Sequence, residues 1–391
     1  MTSAITTWPL NPDKPIETIE ELRHHLANAI ALEFSTIPLY LYPLYSIQTE
    51  GYSQWSAGMS ALRTIRSVVI EEMLHLCLAR NLMIAVGGGD MVRFYSRDLM
   101  PEYPSPMLHR LPKLMLHLEP CSEALMTDVF MPLELPARTD APPEPGWYHT
   151  IGEFYDAISA GFTRLDGPDL WAGNQPDLQY LLGYWNQDGG GSPLVVCDLS
   201  SARQAIRTIV EQGEGSRPGQ LVVPLNPVKP QAGMDELSHY GKFRQIAEGI
   251  DQIGNVWPVP VDPPPGSWDG PVGQLARLFD AAYCYLLCLL DALYQTTRMT
   301  EGPGHTSPRY AMERTFIAAM GGILYPIATL LVQQPVGNGM HAAPTFGYYD
   351  FAEDRSKRDQ LLGLCAQTAA HYPTLGGSDS VQHLIGLLPS V

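Results

Sequence analysis

Long apolar stretches with helical spacing alternate along this chain with breaks rich in proline and glycine. The main stretches are Leu26 to Tyr40, Ile65 to Leu76, Val272 to Thr297 and Tyr310 to Val332. Apolar residues three and four positions apart share one face of a helix. The pattern therefore predicts an all-α protein with several buried helices.

Proline and glycine mark the connections between these helices. Pro136 to Gly146 and Pro258 to Gly266 cannot continue a helix and are predicted to be extended connectors. Gly183 to Pro193 is predicted to be a loop. We expect the chain to divide at the second connector, into residues 1–257 and a C-terminal helical region of residues 258–391.

Three stretches place a glutamate three residues before a histidine. They are Glu21 with His24, Glu72 with His75, and Glu236 with His239. On a helix, residues three apart lean toward the same point, so each pair presents a carboxylate and an imidazole together. Two such pairs, joined by one further glutamate from each of two other helices, form a di-iron carboxylate site.

The three pairs differ in the residues that surround them in the sequence. Glu21 and His24 lie in a polar stretch typical of a helix start and are predicted to be solvated. Glu72 shares its face with Ile65, Val68 and other apolar residues. A buried carboxylate there is costly unless it is paired, protonated or bound to a metal.

The two remaining glutamates are sought in helices upstream of each pair. Glu33 is the one acid in the apolar stretch around it, and Glu153 lies in a short helical pattern behind Thr150. Both have an alternative role. Glu153 also fits the capping-box position of a helix that begins after Thr150, and Glu33 could be a buried acid bonded to a tyrosine or histidine.

Several neighbours of these ligands could support them. Glu71 stands four residues before His75 and competes with Glu72 on helical geometry, although its more polar face favours a supporting position. Tyr40, Tyr240 and His25 are further candidates for the pocket or for hydrogen bonds to the ligands. For any one tyrosine, a role as a core aromatic is the alternative.

These residues resemble the ferritin-like di-iron family, which includes the ferritin-like module of the iminophenyl-pyruvate dimer synthase of violacein biosynthesis. The resemblance runs from about residue 15 to residue 350 and rests on Leu32–Tyr40, Glu72–Leu76, Ala85–Gly88, Ile151–Tyr155, Asp198–Leu199, Ile209–Gly215, Glu236–Tyr240 and Ala343–Phe346.

The resemblance implies a ferritin-like four-helix bundle with two iron ions and dioxygen as co-substrate. The implied metal ligands are Glu33, Glu72, His75, Glu153, Glu236 and His239. Carboxylates and imidazoles suit iron, and a manganese–iron pair is the alternative. The segment from Glu153 to Glu236 is about twice as long as that from Glu33 to Glu72. We therefore expect a long excursion between helices 3 and 4, at about residues 166–232, including a helix from Ser200 to Gln212.

The composition limits the classes of partner and the cellular compartment that we expect for this protein. A formal net charge of −17 argues against nucleic acid and anionic membranes as partners. The six cysteines show no zinc-ligand spacing, and no signal peptide is evident, so we expect a cytoplasmic protein. The apolar segment Phe316 to Val332 falls short of a membrane span, and its glycines and Pro326 favour a buried helix.

The sequence thus favours a di-iron oxidase or oxygenase that acts on a small, amino-acid-derived metabolite of specialised metabolism. A homodimer and an external electron donor are compatible with it. Two alternatives stay open, a ferroxidase or iron-handling protein, and a non-catalytic ferritin-like partner. The reaction outcome and the substrate are not predicted.

Overall fold

We analysed a computed structural model of the chain, which describes residue 8 and residues 10–49, 58–107, 113–135, 148–180, 191–214, 237–297 and 308–391. The predicted connector from Pro136 to Gly146 lies outside these residues, as does most of the predicted loop from Gly183 to Pro193. The structure is mostly helical, so the predicted all-α class is confirmed.

The helices and strands follow one another in this order: α1 Ile19–Ser46, α2 Met59–Ala85, β1 Ser105–Pro106, β2 Met115–Leu116, α3 Glu123–Leu125, α4 Met131–Leu133, α5 Ile151–Leu165, α6 Pro168–Trp171, α7 Leu199–Gly213, α8 His239–Ala247, α9 Gly270–Gln295, α10 Pro308–Ala319, α11 Tyr325–Val332, β3 Pro335–Gly337, β4 Met340–His341, α12 Lys357–Ala369 and α13 Val381–Gly386. Short 3-10 helices cover Pro176–Leu178 and Pro373–Leu375. The strands form two antiparallel pairs, β1 with β2 and β3 with β4.

The chain divides into two compact units. The first comprises Met1–Val92, Pro101–His117 and Cys121–Asn255, and the second comprises Arg93–Met100, Leu118–Pro120 and Val256–Val391. In the first unit, α1 packs along α2, and α5, α7 and α8 pack against this pair. In the second unit, α9 packs against α10, α11 and α12. The two long apolar segments of the C-terminal half, which form α9 and the run from α10 to α11, therefore pack on each other.

Local capping explains where several of these helices begin. Thr18 and Glu21 form a capping box at the start of α1, which gives the exposed Glu21 a structural role. Asp198 caps α7 with Ser201, as the predicted helix behind Asp198 requires. Ser238 caps α8, so that His239 is its first residue.

Two π-helical turns let the chain continue as a helix past a proline. Met126–Phe130 joins α3 to α4 and ends two residues before Pro132, and Met320–Leu324 joins α10 to α11 and ends two residues before Pro326. A proline has no N–H to donate inside a helix, and the wider turn accommodates it.

The helix that contains the apolar segment Phe316 to Val332 begins at Pro308, close to the predicted start at Tyr310. Its three pieces run without a break from Pro308 to Val332, a length of 25 residues. By length and composition alone it could cross a membrane, which was not expected from the segment beginning at Phe316. The core helix of a soluble protein passes the same test, so this finding decides nothing further.

Candidate metal centre

A buried group of carboxylates and histidines lies in the first unit, between α1, α2 and the start of α8. Glu72, His75 and His239 each offer one ligand atom, and these atoms lie within 4.8 Å of one another. Glu33 joins them, since its Oε2 atom is 3.6 Å from Nδ1 of His75. All four side chains are almost fully buried. Apolar residues on the same helix faces enclose them, as predicted for Glu33 and Glu72.

His239 faces carboxylates through both ring nitrogens. Its Nε2 atom is 2.9 Å from Oε2 of Glu71, and its Nδ1 atom lies 2.8 Å from Oε1 of Glu72 and 3.5 Å from Oε1 of Glu134. The Nδ1 atom makes no hydrogen bond of normal angle to a described residue. It therefore lies beside two carboxylates in an ion pair without an aligned hydrogen bond to either of them.

His75 repeats this arrangement with a different partner. Its Nε2 atom is 3.1 Å from Oε1 of Gln212, at the end of α7. Its Nδ1 atom faces Glu33 and lies 3.9 Å from Oε1 of Glu72. The two imidazole rings stack with centroids 5.3 Å apart. Each histidine thus has Nε2 held from outside and Nδ1 turned toward the glutamates.

Hydroxyl groups hold the carboxylates in place. Tyr155 of α5 donates to Oε1 of Glu33 at 2.6 Å, and Thr36 donates to Oε2 of Glu72 at 2.6 Å. Tyr40 donates to Oε1 of Glu134, also at 2.6 Å. Because these donors are buried with their acceptors, they fix the side-chain directions of three glutamates.

The protonation of the cluster is shifted by burial and by its own charges. Burial raises the pKa of Glu33 to about 7, against the opposing effect of His75. Burial alone would lower the pKa of His239, but contacts with Glu134, Glu71 and Glu72 raise it well above its usual value. The pKa of His75 is raised in the same way, because Glu33 and Glu72 outweigh burial. Without a bound metal ion, Glu33, His75 and His239 therefore hold their protons more strongly than they would in water.

Glu72 shifts in the opposite direction. Burial would raise its pKa, yet the contact with His239, together with His75 and Thr36, holds it below the usual range. A carboxylate that stays ionised between two imidazoles is a ready ligand for a cation.

The residues present fit a metal ion. Four carboxylates, those of Glu33, Glu71, Glu72 and Glu134, are each no more than 3% exposed and lie within one network. Burying so much negative charge is costly unless cations compensate it. The Nδ1 atom of His239 lies beside two of these carboxylates, those of Glu72 and Glu134. Oxygen and imidazole donors of this kind suit iron or manganese.

Glu153 is not brought to this centre, which corrects its predicted role as a metal ligand. Its backbone N–H donates to Thr150, and its carboxylate accepts from the backbone N–H of His149 at 2.7 Å. This is close to the capping alternative left open in the sequence, except that the carboxylate bonds the residue before the cap rather than Thr150 itself. The reason is helical phase, because α5 turns Tyr155 toward Glu33, and a residue two positions earlier then points to the opposite side.

The other predicted residues are placed as follows. Glu236 lies outside the described residues, so its role as a ligand stays a prediction. Tyr40 reaches the centre through Glu134. Tyr240 is half-buried, and its hydroxyl shows no hydrogen bond to a described residue. His25 donates from Nδ1 to the carbonyl of Glu21, shares a hydrogen bond between Nε2 and the hydroxyl of Tyr148, and stacks on Phe154, so its described contacts differ from the predicted pocket role.

Several residues of the centre were not predicted from the sequence. They are Glu134, Gln212, Lys242 and Thr36. Glu134 interrupts the apolar run from Phe130 to Leu135, which is the signal that identified Glu33. The same signal could have found it. The other residues do not interrupt an apolar run in this way, and polar residues on helices are common.

A helical bundle with a buried carboxylate–histidine centre is the class of protein that the fold and the site define. Residues 26–248 match the family described as Ferritin-like. This match covers more than half of the chain, which therefore belongs to the Ferritin-like family.

Comparison with known proteins gives two relatives of similar sequence and one protein of similar structure. The chain is 25% identical to dichlorochromopyrrolate synthase of Lentzea aerocolonigenes over 85% of its length. It is 27% identical to 2-imino-3-(indol-3-yl)propanoate dimerase of Chromobacterium violaceum over 88% of its length. In both cases it spans 36% of the relative's own length. A ferritin-like protein from Caulobacter vibrioides has a similar structure, with a TM-score of 0.50 and 22% identity, covering 85% of this chain and 100% of that protein.

Proposed function

We propose that this protein is a non-heme di-iron enzyme that uses dioxygen to oxidise a small, amino-acid-derived metabolite. The observation that carries this proposal is the close approach of Glu72, His75 and His239 in a buried site, within 4.8 Å of one another. Glu33 and Glu134 complete the set of nearby donors.

Charge supports two metal ions rather than one. Glu71 is paired with Lys242, so the buried charges left for metal ions are those of Glu33, Glu72 and Glu134, and the predicted ligand Glu236 would add a fourth carboxylate. Two divalent ions balance four carboxylates, whereas one ion leaves two of them to protons. We assign Glu33, Glu72, His75, Glu134 and His239 as ligands. Glu236 remains a predicted sixth.

An iron pair held here would supply electrons for the two-electron reduction of dioxygen. The protein itself would fix the positions of the ligands and keep water away from the site. Tyr155, Thr36 and Tyr40 fix the glutamates by short hydrogen bonds. Phe130 and Phe243 pack on Tyr40 with ring centroids 4.8 and 5.1 Å away, which gives this side of the site an aromatic wall. Such packing excludes water from the neighbourhood of Glu134.

The names of the relatives suggest the substrate class. One is named for the dimerisation of an indolyl 2-imino acid, and the other for the synthesis of a chlorinated chromopyrrolate. We propose that this protein likewise takes a 2-imino acid, or a product coupled from two of them. Because the chain spans only about a third of either relative, the reaction of the whole relative is carried over only as part of this proposal.

Metal content and oxygen uptake test the proposal. The protein is expressed with iron, freed of loosely bound metal by gel filtration, and reduced. We expect about two irons per chain and oxygen consumption that rises when 2-imino-3-(indol-3-yl)propanoate is generated in the assay. Iron oxidation and accumulation of many irons per chain, without any effect of the organic compound, would favour an iron-handling role. A protein without bound iron would contradict the metal centre.

A matched pair of variants tests the ligand assignment. Glu134→Gln removes a charged ligand beside His239, and we expect it to lower the iron content toward one per chain. Glu153→Gln keeps a capping side chain at α5 and is expected to keep the full iron content. Equal iron in both variants would remove Glu134 from the ligand set, and loss of iron in Glu153→Gln alone would restore the predicted ligand.

A further inference from the structure

Lys242 is a buried cation that lies one turn beyond His239 on α8. Its side chain is 8% exposed, and its Nζ atom is 2.7 Å from Oε2 of Glu71. The same oxygen atom is 2.9 Å from Nε2 of His239. One carboxylate oxygen therefore joins the ammonium group and the imidazole.

The two histidines of the centre are held by partners of different charge. The amide of Gln212 holds Nε2 of His75 at 3.1 Å, and this partner is neutral. The carboxylate of Glu71 holds Nε2 of His239, and this partner carries a negative charge that Lys242 balances.

We propose that Lys242 is a positioning residue for His239, an inference that rests on the proposed metal centre. The ammonium group holds Glu71 on the outer side of the imidazole and keeps it away from the metal ions. Glu71 in turn keeps the Nε2 proton of His239, so that Nδ1 is the atom offered to the metal. Outer hydrogen bonds of this kind orient metal-binding histidines.

Removing Lys242 separates this role from a simple charge effect. An ammonium group near the centre repels metal cations, so charge alone predicts that Lys242→Met binds metal more tightly. Our proposal predicts the opposite. Without its partner, Glu71 is free to turn toward the metal ions and release His239. Loss of such an outer partner typically weakens metal binding about 10- to 100-fold.

A double variant distinguishes positioning from damage to packing. Glu71→Gln combined with Lys242→Met replaces the charged pair by a neutral amide that can still accept from Nε2 of His239. This copies the arrangement that Gln212 already provides for His75. We therefore expect the double variant to bind metal more tightly than Lys242→Met alone. A packing defect would make it equal or weaker.

The measurement is metal affinity by competition with a chelating dye, using Mn²⁺ in air and Fe²⁺ without oxygen. Lys113→Met, an exposed lysine of the same unit, is the control and should match the wild type. Unchanged or tighter binding by Lys242→Met, or no recovery in the double variant, would overturn the inference alone. A wild-type protein that binds neither metal would overturn the inference together with the proposed function.

Discussion

At the scale of single residues, the pKa of each acid in the centre depends on the groups that surround it. Glu33 and Glu72 both face Nδ1 of His75, yet burial raises the pKa of Glu33 to about 7 while contacts with His239 help hold Glu72 ionised. Two acids of the same type thus differ in charge because their neighbours differ. A divalent metal ion can take the place of the protons that Glu33 and the histidines retain.

The stability of the metal-free protein is expected to fall as the pH rises from 6 to 8. An acid with a raised pKa opposes folding once it ionises, so the contribution of Glu33 falls between its unfolded value of 4.5 and about 7. His75 and His239 have raised pKa values, and their stabilisation is present below 6.5 and is lost as the pH rises through the folded values. All three effects have the same sign.

Calorimetry of the chelated protein at pH 6, 7 and 8 checks this expectation. Glu33→Gln should reduce the slope of the melting temperature against pH. It should not abolish the slope, because burial also raises the pKa of Asp280 in the second unit to about 7. A melting temperature that rises between pH 6 and 8 would show that the centre is not protonated as described.

At the scale of elements, the direction of each helix decides which side chains meet. Glu33, Glu72 and His75 could be predicted because each lies within a long apolar helix whose face is readable from the sequence. The contacts of Glu134 and Lys242 could not be predicted, since they join the end of α4 and α8 to helices about 100 or more residues away. The π turn of Met126–Phe130 adds a change of phase that no periodic pattern contains.

Gly152 in the first turn of α5 lies directly against the buried carboxylate of Glu214, the residue that follows α7. The backbone N–H of Gly152 donates to Oε1 of Glu214 at 2.6 Å, and a Cβ atom on Gly152 would lie 2.3 Å from Oε2 of Glu214. Glu214 follows Gln212, which holds His75. The close contact therefore supports the end of α7 at the metal centre.

Gly152→Ala is expected to destabilise the protein by about 1–3 kcal/mol, because the added methyl group displaces Glu214. Alanine is otherwise the better helix residue by up to about 1 kcal/mol. Gly363 of α12 provides the control, since a Cβ atom there meets nothing within 4 Å. Gly363→Ala should leave stability unchanged or raise it. Urea unfolding measures both, and a stabilised Gly152→Ala would contradict the tight approach.

At the scale of the whole molecule, the metal centre belongs to one of two compact units. The family match ends at residue 248, close to the boundary between Asn255 and Val256. The second unit has its own buried core along α9, where Asp280 accepts from Thr345 and from the backbone of Gly347. The helix α12 within it could not be predicted, because the sequence beyond Phe346 lacks long apolar stretches.

Metal binding should stabilise the first unit selectively. A ligand that binds only the folded state at 100 times its Kd adds about 2.7 kcal/mol to stability. Amide hydrogens that exchange only when the ligands separate should be protected by this amount. We therefore expect Mn²⁺ to slow hydrogen exchange in α1, α2 and α8, which carry Glu33, Glu72, His75 and His239. Peptides from α9 and α12 should exchange at the same rate with Mn²⁺ as with a chelator.

Hydrogen exchange followed by mass spectrometry, with Mn²⁺ in one sample and a chelator in the other, measures this difference. Equal protection throughout the chain would mean that the ligands are released only when both units unfold, and protection confined to the second unit would place the metal elsewhere.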